Sequence, residues 1–111
     1  MPHLMVEISA GLAVDETKLL ADLAQALYDS GEFVLSDIKS RLYRADASLV
    51  GTGGGSQDFI AVRLLLLAGR TDAVKQALAQ AVLAVLGGLP FDCKPQYSVE
   101  VVELSPLYWK A

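Results

Sequence analysis

At 111 residues, with 9 Lys plus Arg against 13 Asp plus Glu, the chain has the length of one domain and a net charge of -4 that opposes nucleic-acid binding. Hydrophobic residues make up 53% and the mean hydropathy is +0.41, more than a small monomer with one core needs, so some apolar surface is expected between subunits. Cys93 has no partner for an intrachain disulfide, no secretory leader pattern is present, and the run Leu64 to Gly69 is far short of the roughly 20 residues a membrane span needs; a cytoplasmic protein that meets neither nucleic acid nor membrane is expected.

Leu4 to Ile8 is rich in β-formers and ends at Ser9-Ala10-Gly11, which predicts a short first strand and a turn. Asp15 and Glu16 then precede Leu19, Leu20, Leu23, Ala26 and Leu27, whose spacing of three and four predicts a helix closing near Gly31, with acids at its favourable amino end. From Ile38 to Tyr43 the alternation predicts a second strand, with Ile38, Ser40 and Leu42 on one face and Lys39, Arg41 and Tyr43 on the other. The stretch Gly51 to Ser56 is a flexible connection, expected to border the site. Phe59 to Leu67 is apolar except for Arg63, and reads as a central strand covered on both faces. Thr71-Asp72 starts a second helix carrying Val74, Ala77, Leu78, Ala81, Val82 and Val85 up to Gly87-Gly88, and Tyr97 to Leu104 alternates as the fourth strand.

Leu23-Ala24-Gln25-Ala26 recurs as Leu78-Ala79-Gln80-Ala81, each copy in a helix between two strands. This order predicts an internal duplication, with pseudo-repeats at about 2–48 and 57–106 of a single domain spanning 1–111. Right-handed crossovers then give parallel strands within each half. The expected fold is an α/β (α+β) two-layer sandwich, a four-stranded sheet with two helices on one face and a neighbouring subunit on the other.

Pro2 follows the initiator Met, whose removal a small second residue normally permits, leaving a secondary amine. An α-amino group ordinarily titrates at about 7.7–8.0, and burial beside cations lowers that value, so such an amine is a free base near neutral pH. Position alone equally fits a stiff start to a strand, where no ladder donor is needed. Five of the nine basic residues, Lys39, Arg41, Arg44, Arg63 and Arg70, fall between positions 39 and 70, and Arg70 stands just before a helix amino terminus, whose amides favour anions. This pattern reads as a local anion site, or as solvated charges at strand ends and a helix start.

The opening Met1-Pro2-His3-Leu4-Met5-Val6-Glu7, the segment Ile38-Lys39-Ser40-Arg41, and Asp58-Phe59-Ile60-Ala61-Val62 running into Ala68-Gly69-Arg70 resemble the 5-carboxymethyl-2-hydroxymuconate isomerase family of the tautomerase superfamily. The resemblance covers nearly the whole chain. It implies a cofactor-independent homotrimer in which Pro2 shuttles a proton on a small carboxylic acid and Arg70 binds a carboxylate. The family's other arginine falls at Lys39, a departure that keeps the charge and loses the planar fork, and Arg41 on the same strand face is expected to share the role.

Other residues read more simply. His3 is a strand residue, and with no second His and no acid or Cys cluster at metal spacing, no metal is expected. Cys93 is expected partly buried, and Tyr97, Tyr108 and Trp109 fit a pocket wall or an interface. Two other readings keep the same fold: a hydratase-type dehalogenase or decarboxylase that uses the proline with an activated water, and a catalytically silent binding oligomer.

Overall fold

The computed structural model describes residues 2–53 and 58–111. Alternation in the first strand decides which side chains leave water. In β1 (His3–Ile8), Leu4, Val6 and Ile8 are fully buried, and His3, Met5 and Glu7 point to the opposite face. The helix α1 (Glu16–Asp29) is capped by the Asp15 side chain, which accepts from the Lys18 amide at 3.1 Å. Leu19, Leu23 and Leu27, four residues apart, form its buried stripe. It ends at Ser30, followed by Gly31 at φ 81°, a left-handed position that suits glycine.

A short 3-10 turn, Leu35–Asp37, leads into β2 (Lys39–Arg44). After the connection through Gly51, whose residues 54 to 57 lie outside the described chain, β3 (Phe59–Leu66) buries Ile60, Val62, Leu64 and Leu66. The helix α2 (Asp72–Gly87) is capped by Thr71 and buries Leu78, Val82 and Leu86, and β4 (Gln96–Glu103) completes the chain's elements. Each fully buried leucine or valine contributes about 1.5–3 kcal/mol. These residues form one continuous cluster between the helices and the sheet.

The sheet order is β2-β1-β3-β4, with β1 parallel to β2, β3 parallel to β4, and β1 antiparallel to β3. Each half is thus a parallel β-α-β crossover, as the duplicated pattern predicts. The continuous apolar run of β3 was expected to be covered on both faces, and within one chain only the helix side is: the Arg63 side chain on the other face is 45% exposed beside Glu100. The single chain supplies two layers, so the odd-numbered side chains of β1 and β3 have no third layer to pack against. Cys93, expected to be partly buried, is exposed instead, because it falls in the turn before β4 rather than in a packed element. No helix among the described residues is long and apolar enough to cross a membrane.

Candidate functional site

Antiparallel pairing of β1 with β3, with a parallel partner beside each, sends the starts of β1 and β2 and the ends of β3 and β4 to one end of the sheet. His3 pairs across with Lys39 on one side and Leu65 on the other, and the Lys39 amide donates to the Pro2 carbonyl at 3.1 Å. The Leu104 amide donates to the Leu66 carbonyl at 2.6 Å, so the segment after β4 leaves from the same end. Pro2 is buried at this junction. The connection leaving β2 toward Gly51 starts at the opposite end, so its described part does not border Pro2, contrary to expectation, because β2 runs parallel to β1 and carries the chain away.

The face turned away from the helices carries the polar groups. Lys39 and Arg41 alternate on it with their β1 neighbours His3 and Met5, as the sequence alternation predicts. Arg41 Nη1 donates to His3 Nδ1 at 3.1 Å, and His3 Nε2 meets the Tyr108 hydroxyl at 2.9 Å, with the two rings edge to face at 5.8 Å. Burial, followed by the charges of Arg41 and Lys39, holds the His3 imidazole below its ordinary pKa.

Arg70 lies four residues past the end of β3, after Gly69 at φ 121°, and therefore at the Pro2 end. Its guanidinium is engaged within the chain: Nε donates to Glu32 Oε1 at 3.1 Å, Nη2 to the Glu32 carbonyl at 3.3 Å, and the group stacks 4.7 Å over the Phe33 ring. Two more of the five clustered basic residues serve elsewhere. Arg44, at the far end of β2, donates to the Leu12 carbonyl and pairs with Glu16 at 2.8 Å, and Arg63 pairs with Glu100 at 3.3 Å.

Pro2 and Lys39 thus lie at adjacent strand starts, joined through backbone groups, with Arg41 two residues further along β2 and Arg70 at the same end and turned to Glu32. Sequence reasoning missed His3 as the partner of Arg41 and Tyr108 as the partner of His3. Alternation puts His3 on the Arg41 face, which was a usable signal; nothing local pairs residue 3 with residue 108. Tyr97 lies partly buried against the core and Trp109 is 86% exposed, so neither walls this site within one chain. No group of three or more His, Cys, Asp or Glu among the described residues is placed to hold a metal ion. Hollows of about 250 Å³ beside Val14 and Phe91, and about 440 Å³ between the helices at Ala26 and Ala81, are not lined by Pro2, Lys39, Arg41 or Arg70.

The chain is similar over nearly its whole length to proteins of one group. A solved 5-carboxymethyl-2-hydroxymuconate isomerase from Deinococcus radiodurans R1 is 27% identical, with a TM-score of 0.87 over 99% of this chain and 88% of that one. A 5-carboxymethyl-2-hydroxymuconate delta-isomerase is 23% identical, with a TM-score of 0.82 over 100% of this chain and 87% of that one. A fused 4-OT described as a symmetric trimer shares the fold at 19% identity, with a TM-score of 0.72 over 96% of this chain and 91% of that one. No curated protein matches the sequence. The family model for 5-carboxymethyl-2-hydroxymuconate isomerase matches residues 2–105, and the chain belongs to that family.

Proposed function

We propose that the chain is a cofactor-independent isomerase that interconverts enol and keto forms of a small 2-hydroxymuconate-like carboxylic acid, with the Pro2 nitrogen as acid and base. Once Met1 is removed, that nitrogen is a secondary amine. Pro2 is buried, and burial disfavours the charged form of an amine, which favours a free base able to take a proton. It removes a proton from the enol oxygen or a carbon and returns one at another carbon of the conjugated system, so the sum of atoms is unchanged and no cofactor is required. Lys39, Arg41 and Arg70 bind the substrate carboxylates and stabilise the dienolate-like charge.

The observation that carries this reading is the burial of Pro2 at the end of the sheet where the Lys39 backbone amide donates to its carbonyl and Arg41 reaches the adjacent His3. Within one chain this end is open, and the sheet face away from the helices is uncovered. A homotrimer in which a neighbouring subunit closes the site accounts for both features, and for the apolar content of 53%.

Intact mass of the natively produced protein, combined with a ketonisation assay on 2-hydroxymuconate, tests the proposal. A mass lacking Met1 is expected, and Pro2→Ala should lower turnover by roughly 100-fold or more, the usual scale for losing a positioned base. Wild-type rates in Pro2→Ala would remove the reading.

A further inference from the structure

The sequence contains one histidine, and its two ring nitrogens have different partners. A guanidinium only donates, so the Arg41 contact at 3.1 Å requires a lone pair on His3 Nδ1. A neutral imidazole with Nδ1 unprotonated carries its hydrogen on Nε2, which then donates to the Tyr108 oxygen at 2.9 Å. This leaves the Tyr108 hydroxyl proton unspent. Among the described residues the hydroxyl makes no other hydrogen bond. Burial and the charges of Arg41 and Lys39 act in the same direction, favouring the neutral ring.

The segment after β4 is what brings Tyr108 to this place. Leu104 is tied to Leu66, the Leu107 amide donates to Ser105 Oγ at 3.0 Å, and the Tyr108 amide donates to the Ser105 carbonyl at 2.9 Å. That turn returns residue 108 to the start of β1. Trp109 and Leu107 on either side are 86% and 75% exposed, so burial of the neighbouring side chains does not account for the placement of the half-buried Tyr108.

We propose that His3 and Tyr108 belong to the substrate site: His3 is a positioning residue that fixes the Arg41 guanidinium through Nδ1, and the Tyr108 hydroxyl, held at Nε2 on the other side of the ring, is a further donor to a substrate carboxylate. This rests on the isomerase reading for its substrate. It adds to it a specificity element built from the two ends of the chain. A preset arginine loses less rotamer freedom when the anion arrives, and a hydrogen bond from a neutral donor to a charged acceptor is among the stronger ones.

The test uses Tyr108→Phe, His3→Asn and His3→Phe in the full-length protein, each checked for the wild-type circular dichroism spectrum and melting midpoint. Kinetics are measured on 2-hydroxymuconate, and equilibrium binding on muconate, which lacks the hydroxyl and so cannot ketonise. Tyr108→Phe should weaken muconate binding and raise KM by roughly tenfold, with the loss falling on KM rather than kcat. His3→Asn, whose amide oxygen can take the place of Nδ1 as acceptor for Arg41, should retain more affinity than His3→Phe. Nitrogen-15 NMR of the sole imidazole should show Nδ1 unprotonated and Nε2 protonated at neutral pH.

A Tyr108→Phe protein with wild-type KM and muconate affinity, or an imidazole protonated on Nδ1, overturns the proposal. The two readings fail differently. If Pro2 is not the base, Pro2→Ala retains turnover while the muconate and NMR results stand; if the His3 arrangement is wrong, Pro2→Ala is inactive while Tyr108→Phe binds muconate as the wild type does. A wild-type protein that does not bind muconate refutes the carboxylate site outright.

Discussion

Arg70 has two claims on it, and Glu32→Gln separates them. As folded, the guanidinium donates to the Glu32 carboxylate at 3.1 Å, with the two side chains 22% and 35% exposed. A substrate carboxylate arriving at Arg70 must therefore compete with an acid already in place. Removing that charge leaves the second bond, from Nη2 to the Glu32 carbonyl, and the stacking on Phe33, so the arginine stays where it is. A pair this accessible to water is worth at most about 1 kcal/mol. If the same interaction opposes the ligand, its loss should tighten muconate binding by about fivefold, since 1.4 kcal/mol corresponds to a factor of ten. The cost to folding should be of the same size. Calorimetric titration of both proteins with muconate, beside urea unfolding curves, reads the two quantities. Unchanged or weaker binding together with lowered stability would refute the reasoning and make Arg70 a clasp that holds the segment after α1.

Two further outcomes follow from the core and from the histidine. Leu64→Ala, at a fully buried site in β3, should cost about 2–5 kcal/mol by urea unfolding without altering the slope of the transition. His3 titrates below its ordinary 6.5, with burial the largest cause, then Arg41, then Lys39. Between its folded value and 6.5 the unfolded chain binds more protons, so stability should fall as pH drops through that window and be constant above it. Melting curves of wild type and His3→Asn from neutral to mildly acid pH check this, because the variant should lose that component of the slope.

Strand and helix identities were legible because each element carries its own period. Alternation in Leu4 to Ile8 and the spacing of four among Leu19, Leu23 and Leu27 state which face is apolar, and burial follows it. The repeated Leu-Ala-Gln-Ala was informative for a physical reason: Leu23 and Leu78 both sit in the core, and Ala26 and Ala81 both line the hollow between the helices. Periodicity names a face but not the partner across it. The contacts that shape the site join residues far apart in sequence, 105 positions for His3 with Tyr108 and 38 for Arg70 with Glu32. The clustering of basic residues between 39 and 70 misled in part, since a strand spreads its residues over both ends of the sheet and Arg44 finishes at the end away from Pro2.

The antiparallel contact between β1 and β3 places the beginnings of the two crossover units at opposite poles, since His3 faces Leu65 while Ile8 faces Ile60. Joining both units in one polypeptide makes the second start an interior peptide linkage, whose amide nitrogen is not basic. A protonatable backbone nitrogen can therefore exist at one pole only. The pole around Asp58 is instead closed by the chain's own groups, where Ser9 Oγ donates to Asp58 Oδ1 at 2.9 Å and the Ser9 amide donates to the Phe59 carbonyl at 3.1 Å.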